Sequence, residues 1–111
     1  MKYILNSLIV PLARDVRAAQ VLIEKVPVEK AKEFVDDSFV SAVGHEATAK
    51  LLTELLGADI PLNRVAIEMR PGDQALHFVL RQRLPEGTVL NIEALKTLEF
   101  DFYITTVKKE V

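Results

Sequence analysis

The chain has 111 residues, of which half are apolar and 27% are charged, as expected for one small globular domain over residues 1–111. Its formal net charge of -2 argues against non-specific binding of long DNA or RNA, which usually requires a basic domain. Cysteine is absent, which excludes disulfides, thiolate catalysis and Cys-based metal sites and fits a reducing cytoplasm.

The first third of the chain predicts strands and one helix. Residues 2–5 are apolar and predict a buried strand, and the polar pair Asn6-Ser7 makes a signal peptide a poor interpretation. A turn, a short helix over residues 12–19 and a strand over residues 20–26 follow, with one longer helix as the open alternative. Residues 28–34 predict a helix with Pro27 just ahead of it. No run approaches the roughly 20 apolar residues that span a membrane.

The strongest periodic pattern predicts a helix in the middle of the chain. A short extended segment over residues 39–43 precedes it. Ala47, Leu51 and Leu55 form an apolar stripe at helical spacing. Leu52 and Leu56 widen it, and Gly57 occupies the position of a C-terminal cap.

The last part of the chain predicts a hairpin, a helix and a strand. Residues 64–70 and 75–83 alternate as strands around a turn-rich linker. Asn91 is a suitable cap for a helix over residues 92–98, and a closing strand covers residues 100–107. These elements predict a mixed α+β fold, a small mixed sheet flanked by helices.

The predicted hairpin decides where its arginines point. If both strands turn their apolar side chains to the core, Arg64, Arg81 and Arg83 share the outer face. They form either a phosphate-binding cluster or a solvated sheet face with Glu68 as an ionic partner. His77 falls on the same face, nearer the turn, and is interpreted as a surface residue.

His45 follows Gly44 and opens the central helix. One interpretation is a structural histidine that caps the helix. The other is chemical, because the N–H groups and the dipole at a helix start favour a bound anion. A phosphate there would favour the protonated ring, which could then act as a general acid.

Three further polar residues have two interpretations each. Glu86 is either a surface turn residue or a carboxylate that orients Arg83 or an attacking hydroxyl. Asn6 and Ser7 either cap a turn or line a ligand site. The sequence has no divalent-metal spacing and no glycine-rich nucleotide motif, so we expect catalysis by side chains alone, without a metal or cofactor.

Four segments together resemble a known family. They are residues 5–7 (Leu-Asn-Ser), 41–48 (Ser-Ala-Val-Gly-His-Glu-Ala-Thr), 63–67 (Asn-Arg-Val-Ala-Ile) and 82–87 (Gln-Arg-Leu-Pro-Glu-Gly). In this order they are similar to the small viral anti-CRISPR ring nucleases of type III immunity and their bacterial relatives. The similarity runs over nearly the whole chain, including the phenylalanine-rich closing strand.

The resemblance implies a homodimer that binds cyclic tetra-adenylate in a pocket across its two-fold axis. That messenger activates the ancillary nucleases of type III CRISPR defence. The family opens the ring without metal, by attack of a ribose 2′-hydroxyl on the adjoining phosphorus, and leaves linear di-adenylate with 2′,3′-cyclic phosphate ends. Fusion to, or functional pairing with, a CRISPR ancillary nuclease would fit the same resemblance.

The family's functional positions match residues of this chain. The resemblance assigns His45 as the general acid, Arg83 to the scissile phosphate and Glu86 as the acidic residue that supports it. Ligand contacts are implied for Asn6, Ser7, Gly44, Arg64 and Gln82. The chain departs from the viral pattern at Ile9, where Ser7 is the candidate substitute for a serine, and at Val79, which replaces a glutamine.

Three hypotheses of different classes remain open. The first is the ring nuclease, and the second is a dimeric sensor that binds a cyclic oligonucleotide without cutting it. The third is a dimer whose arginine face binds an acidic protein. The sequence leaves open a viral inhibitor or a host off-switch, and a preference for four or six adenylates.

Overall fold

The structure, a computed structural model, describes residues 1–81 and 98–111. The elements of this part are, in order, β1 (Lys2–Leu5), β2 (Ala19–Val26), α1 (Val28–Phe34), β3 (Val40–Ser41), α2 (Glu46–Leu56), β4 (Gln74–Leu80) and β5 (Phe100–Glu110). The described strands form one sheet in the order β2-β5-β4-β1-β3. Strand β1 is parallel to β3 and β4, and β5 is antiparallel to β4 and β2. The predicted mixed α+β fold is confirmed.

Helix α2 begins and ends where the sequence predicts. Gly57 has a φ of 69°, in the left-handed region, and its N–H donates to the Thr53 carbonyl at 3.0 Å. Such a cap favours glycine because it has no Cβ to strain. The buried stripe is centred on Leu52 and Leu56, whereas Ala47 is exposed. Leu51 is buried as well and Leu55 is half-buried, so the predicted stripe is confirmed for its leucines and wrong for Ala47.

The main core lies between the two described helices and the front face of the sheet, the face that carries Ile4 and Leu76. Phe78, Phe100 and Phe102 extend this face, with ring centroids 5.5–5.9 Å apart. Aromatic pairs at such separations add to the apolar area that they bury. Because α2 packs here, its N-terminus is held at one end of the parallel strands.

The opposite face of the sheet, called the back face below, is covered by residues 10–13 and 67–69. Leu12 and Met69 form a parallel bridge. The Ala13 N–H donates to the Met69 carbonyl at 3.0 Å, and the Met69 N–H donates to the Pro11 carbonyl at 2.8 Å. Met69 is fully buried with Ala75 of β4. Strand β4 is therefore buried on both of its faces.

This back-face layer explains two wrong predictions. Residues 12–19 do not form a helix, because the backbone around Leu12 pairs with Met69 instead of with itself. Residues 64–70 do not form a strand, and the predicted hairpin is wrong because the neighbours of β4 are β1 and β5. The predicted turn is present at residues 71–72, where Gly72 has a φ of 96°.

The remaining element predictions have different outcomes. The strand over residues 20–26 and helix α1 are confirmed, and the closing strand is confirmed and continues to Glu110. The predicted helix over residues 92–98 lies outside the described residues except for Leu98, which is not helical. No described helix combines the length and the apolar character that crossing a membrane requires.

Candidate functional site at the carboxyl edge

The three parallel strands β1, β3 and β4 end at one edge of the sheet, called the carboxyl edge below. Ile4 pairs with Ser41, and Leu5 pairs with His77, so the strands run in step. Asn6 and Ser7 follow β1 directly, and residues 44–45 follow the segment that includes β3. Ligands of sheets with parallel strands bind preferentially outside this end of the strands. The topology therefore gathers four predicted site residues at one edge.

His45 is the N-cap residue of α2, and its side chain is exposed. Its backbone carbonyl accepts the first helical hydrogen bond, from Ala49 at 2.9 Å. The ring makes no capping bond and no other hydrogen bond to any residue of the described ranges. The structural interpretation of a capping histidine is therefore wrong. The ring is free to meet a ligand beside the N–H groups of the first helical turn.

Arg64 reaches the same edge from a different segment. Leu62 forms a parallel bridge with Val43, and the Asn63 side-chain amide donates to the Ser41 carbonyl at 2.8 Å. Arg64 Nε then donates to the Gly44 carbonyl at 2.9 Å, directly before His45. Within residues 1–81 and 98–111, no carboxylate forms an ion pair with Arg64. Its terminal nitrogens are therefore available for an anion.

Gly44 needs no special backbone conformation, since its φ is not positive. A Cβ added there would lie 3.6 Å from Arg64 Cγ, an ordinary contact. The stem of Arg64 therefore packs over Gly44 while its Nε holds the carbonyl. This packing fixes the guanidinium beside the start of α2.

The described residues do not support the predicted cluster of three arginines on one sheet face. Arg81 Nε donates to Asp101 at 2.7 Å, and its terminal nitrogen donates to the Tyr103 hydroxyl. The Arg81 guanidinium holds the pKa of Asp101 below its ordinary value, with Lys25 as a further cause. Glu68 lies 3.7 Å from Arg70, not beside these arginines. Arg64 and Arg81 are therefore held by different partners.

His77 is not a surface residue, as the sequence predicted, but fully buried. Its Nδ1 lies 2.8 Å from the Ser7 carbonyl, and its Nε2 lies 2.7 Å from the Thr105 hydroxyl. Sequence reasoning missed this link because it treated one face of β4 as solvated. A signal was present in the sequence. Ala75 and Val79, the neighbours of His77 on the same face of β4, are apolar, which is typical of a strand buried on both faces.

The other predicted site residues, Gln82, Arg83 and Glu86, lie outside the described residues. Within the described part, no group of three His, Cys, Asp or Glu side chains has the arrangement of a metal site. An open groove of about 450 Å³ runs beside α2, lined by residues that include Lys50 and Leu62. None of the predicted site residues that the structure describes lines it, so we place the candidate site at the carboxyl edge and not in this groove.

Comparison with known proteins gives the chain a family. Residues 2–102 match the family described as STIV B116-like. The chain belongs to the STIV B116-like family. In structure it resembles B116 of Sulfolobus turreted icosahedral virus, with a TM-score of 0.78, 26% identity and coverage of 95% of this chain and 97% of the other.

Proteins similar to this chain come from viruses and from a bacterium. ORF117 of Acidianus two-tailed virus is 44% identical over 105 residues, covering 91% of this chain and 88% of its own. Protein 26 of Sulfolobus islandicus filamentous virus is 38% identical and covers 96% and 92%. YddF of Bacillus subtilis is 31% identical and covers 92% and 93%. All three are described as uncharacterized.

Proposed function

We propose that this member of the STIV B116-like family is a metal-independent ring nuclease that cleaves cyclic tetra-adenylate and so switches off type III CRISPR signalling. The observation that supports it most is the exposed ring of His45 at the start of α2, which has no hydrogen bond to any residue that the structure describes. Arg64 and the pair Asn6-Ser7 belong to the same edge. A proton donor, an arginine and polar groups are what cleavage of a phosphodiester by side chains requires.

In the proposed reaction, a ribose 2′-hydroxyl gives its proton to solvent water and attacks the adjoining phosphorus. The bond from phosphorus to the 5′-oxygen breaks, and His45 donates a proton to that oxygen. Each cleavage leaves a 2′,3′-cyclic phosphate and a 5′-hydroxyl, and two cleavages give linear di-adenylate. General acid catalysis of this kind contributes on the order of 10²–10⁴ in rate.

Charge stabilisation is the second part of the proposal. The phosphorane-like transition state carries more negative charge on its oxygens than the diester does, and fixed N–H donors stabilise it. The terminal nitrogens of Arg64 have no partner among residues 1–81 and 98–111, and the first turn of α2 supplies N–H groups with a favourable dipole. The resemblance assigns Arg83 to the scissile phosphate and Glu86 to its support.

The proposed active form is a homodimer. A two-fold axis presents the same groups to each half of a four-fold ring, which then has two equivalent scissile phosphates. His45 and Arg64 are exposed in one subunit, which fits a site that a second copy closes. We place the reaction in the cytoplasm of a prokaryotic cell. Because the relatives are both viral and bacterial, the protein is either a viral inhibitor of immunity or a host's own off-switch.

A non-catalytic sensor is the second candidate, and Ile9 favours it. Ile9 follows the Asn6–Ser7 pair, is 58% exposed and stands where the resemblance leads one to expect a serine. An apolar side chain there cannot hydrogen-bond to a phosphate or a ribose. The ring would then be bound but not cut.

Incubation of the protein with cyclic tetra-adenylate in excess EDTA tests the proposal. The products are separated by chromatography, and binding is measured in parallel by calorimetry. Linear di-adenylate with cyclic phosphate ends is the expected result. Tight binding without products would leave the sensor, and the absence of binding would contradict both and leave a dimer that recognises an acidic protein.

A further inference from the structure

The strongest unassigned feature is the buried contact between His77 and the segment after β1. His77 has no exposed surface, although imidazole is a polar side chain that is rarely buried without partners. Both of its nitrogens are within hydrogen-bond distance of an oxygen, at 2.8 Å from the Ser7 carbonyl and 2.7 Å from Thr105 Oγ1. The ring therefore joins the carboxyl edge to β5.

The chemistry of the two partners fixes the direction of both bonds. A carbonyl oxygen can only accept, so Nδ1 carries a proton and donates it to Ser7. In the neutral ring, Nε2 then accepts from the Thr105 hydroxyl. Burial lowers the pKa of His77 and favours this neutral form, although the bond to Ser7 acts in the opposite direction.

The groups around the ring are consistent with a neutral tautomer. Its cross-strand neighbours are Leu5 of β1 and Tyr103 of β5. The hydroxyl of Tyr103 accepts a bond from Arg81. The layer over the back face contains the charged residues Glu68 and Arg70. Both are exposed, and the Glu68 carboxylate lies 3.7 Å from the Arg70 guanidinium.

The hydrogen bond from His77 to the Ser7 carbonyl holds the segment after β1, which the backbone hydrogen bonds of the sheet do not hold. Strand β1 ends at Leu5, so the Ser7 carbonyl lies beyond the last ladder pair, Leu5 with His77. The contact spans 70 positions in sequence. Asn6 and Ser7 are the polar residues of this segment, and their direction depends on how its backbone is held.

We propose that His77 is a positioning residue of the candidate site, whose Nδ1–H holds the Ser7 carbonyl and thereby orients Asn6 and Ser7 toward a bound cyclic oligoadenylate. The inference rests on the proposed function. The ring itself is too deeply buried to touch the ligand and is not a catalytic residue. A loop that supplies ligand contacts binds well only when it is held in the bound geometry before the ligand arrives.

Two amide variants separate the two bonds of the ring. In His77→Asn the side-chain amide lies near the place of Nδ1 and can still donate to Ser7. In His77→Gln the amide lies near the place of Nε2 and keeps a partner at Thr105 but loses Ser7. Both variants retain a polar group in the same cavity, so their stabilities are comparable, and Thr105→Val serves as a matched control that removes the other partner.

The measurements are Kd by calorimetry, kcat and KM for cyclic tetra-adenylate, and Tm for each variant. We expect His77→Gln to raise Kd and KM about 10- to 100-fold, since a small displacement of binding groups has effects of this size. Its kcat changes much less, as expected when the lost binding energy is shared equally by the ground state and the transition state. His77→Asn and Thr105→Val keep the wild-type Kd even where Tm falls.

The outcomes distinguish this inference from the proposed function. If the wild type binds and the Asn and Gln variants bind equally well, the inference is wrong and the proposed function stands. A Kd that follows Tm across all three variants would show a purely structural role and would also overturn it. A wild type that binds no cyclic oligoadenylate would overturn the proposed function and this inference with it.

Discussion

At the carboxyl edge, His45 is exposed and its ring has no hydrogen-bond partner among the described residues, whereas at the back face His77 is buried with both ring nitrogens bonded. The chain has two histidines, and they stand in opposite environments. A ring that exchanges a proton with substrate must be reachable and must be able to change its charge. His45 meets the first condition, and His77 is held neutral by its surroundings.

The difference shows that burial and bonding decide which histidine can do chemistry. His77 serves the fold and, by our inference, the position of a loop. The His45 side chain does not cap α2, since it makes no capping hydrogen bond. An exposed histidine whose ring has no hydrogen bond among the described residues, in a site of polar groups, is a stronger functional candidate than one that the core requires.

The largest expected effect comes from changing His45. His45→Ala should lower the rate of ring cleavage by about 10²- to 10⁴-fold, because the departing 5′-oxygen loses its proton donor. Tm should hardly change, since substituting an exposed side chain that has no hydrogen bond or ion pair within the described residues changes stability by no more than about 0.5 kcal/mol. The measurements are single-turnover cleavage and thermal unfolding.

His45→Asn separates the effect on activity from the effect on stability more clearly than His45→Ala. Asparagine is a better N-cap than histidine without a capping bond, so the variant should be more stable by about 0.5–1 kcal/mol. Its cleavage rate should nevertheless be as low as that of His45→Ala. A loss of stability together with activity would contradict the contrast between the two histidines.

Thr105→Val tests the buried half of the comparison. It removes the hydroxyl that His77 Nε2 accepts from and leaves a buried nitrogen without a partner. We expect the free energy of unfolding to fall by about 1–3 kcal/mol, measured by urea denaturation. Thr48→Val in the first part of α2 is the matched control and should change it by no more than about 0.5 kcal/mol. Equal effects of the two substitutions would show that the His77 bonds matter little.

Arg64→Lys tests whether the carboxyl edge binds phosphate through a held guanidinium. Lysine keeps the charge but loses the bond from Nε to the Gly44 carbonyl and the forked geometry. We expect Kd for cyclic tetra-adenylate to rise about tenfold, which corresponds to about 1.4 kcal/mol. Arg70→Lys is the control, since Arg70 pairs with Asp15 at 2.8 Å. The prediction fails if both variants weaken binding alike.

The smallest effect is a dependence of stability on pH. The pKa of His77 is lowered from 6.5 by burial, so the unfolded chain takes up a proton at a higher pH than the folded chain. The free energy of unfolding should therefore fall as the pH drops from 6.5 through that lowered pKa, and this slope should be absent in His77→Asn. The pKa of Asp101 is lowered from 3.8 by Arg81, so the stability that this carboxylate contributes is lost only when the pH falls below about that value. An unchanged slope in the variant would assign it to other groups.

The sequence predicted those elements whose pattern is local. Helix α2 was found from its apolar spacing and Gly57, and β4 and β5 from alternation. The prediction of a strand over residues 64–70 was wrong. Met69 is buried because it belongs to the back-face layer with Leu12, not because it lies in a strand of the sheet. Alternation shows that a side chain is covered, but not by which segment.

The same limit applies to the site. The sequence placed Asn6 at a strand end and His45 at a helix start, and both positions are confirmed. It could not show that β1 lies between β3 and β4, which is what brings these ends together. The burial of His77 also depends on that long-range arrangement.

The most direct test of the account uses a cyclic tetra-adenylate in which sulfur replaces each scissile 5′-bridging oxygen. A thiolate leaves without first taking a proton, so a general acid is not needed for this substrate. We predict that His45→Ala cleaves the oxygen substrate far more slowly than the wild type but cleaves the sulfur substrate at nearly the wild-type rate. Equal losses on both substrates would contradict the assignment of His45 as the acid.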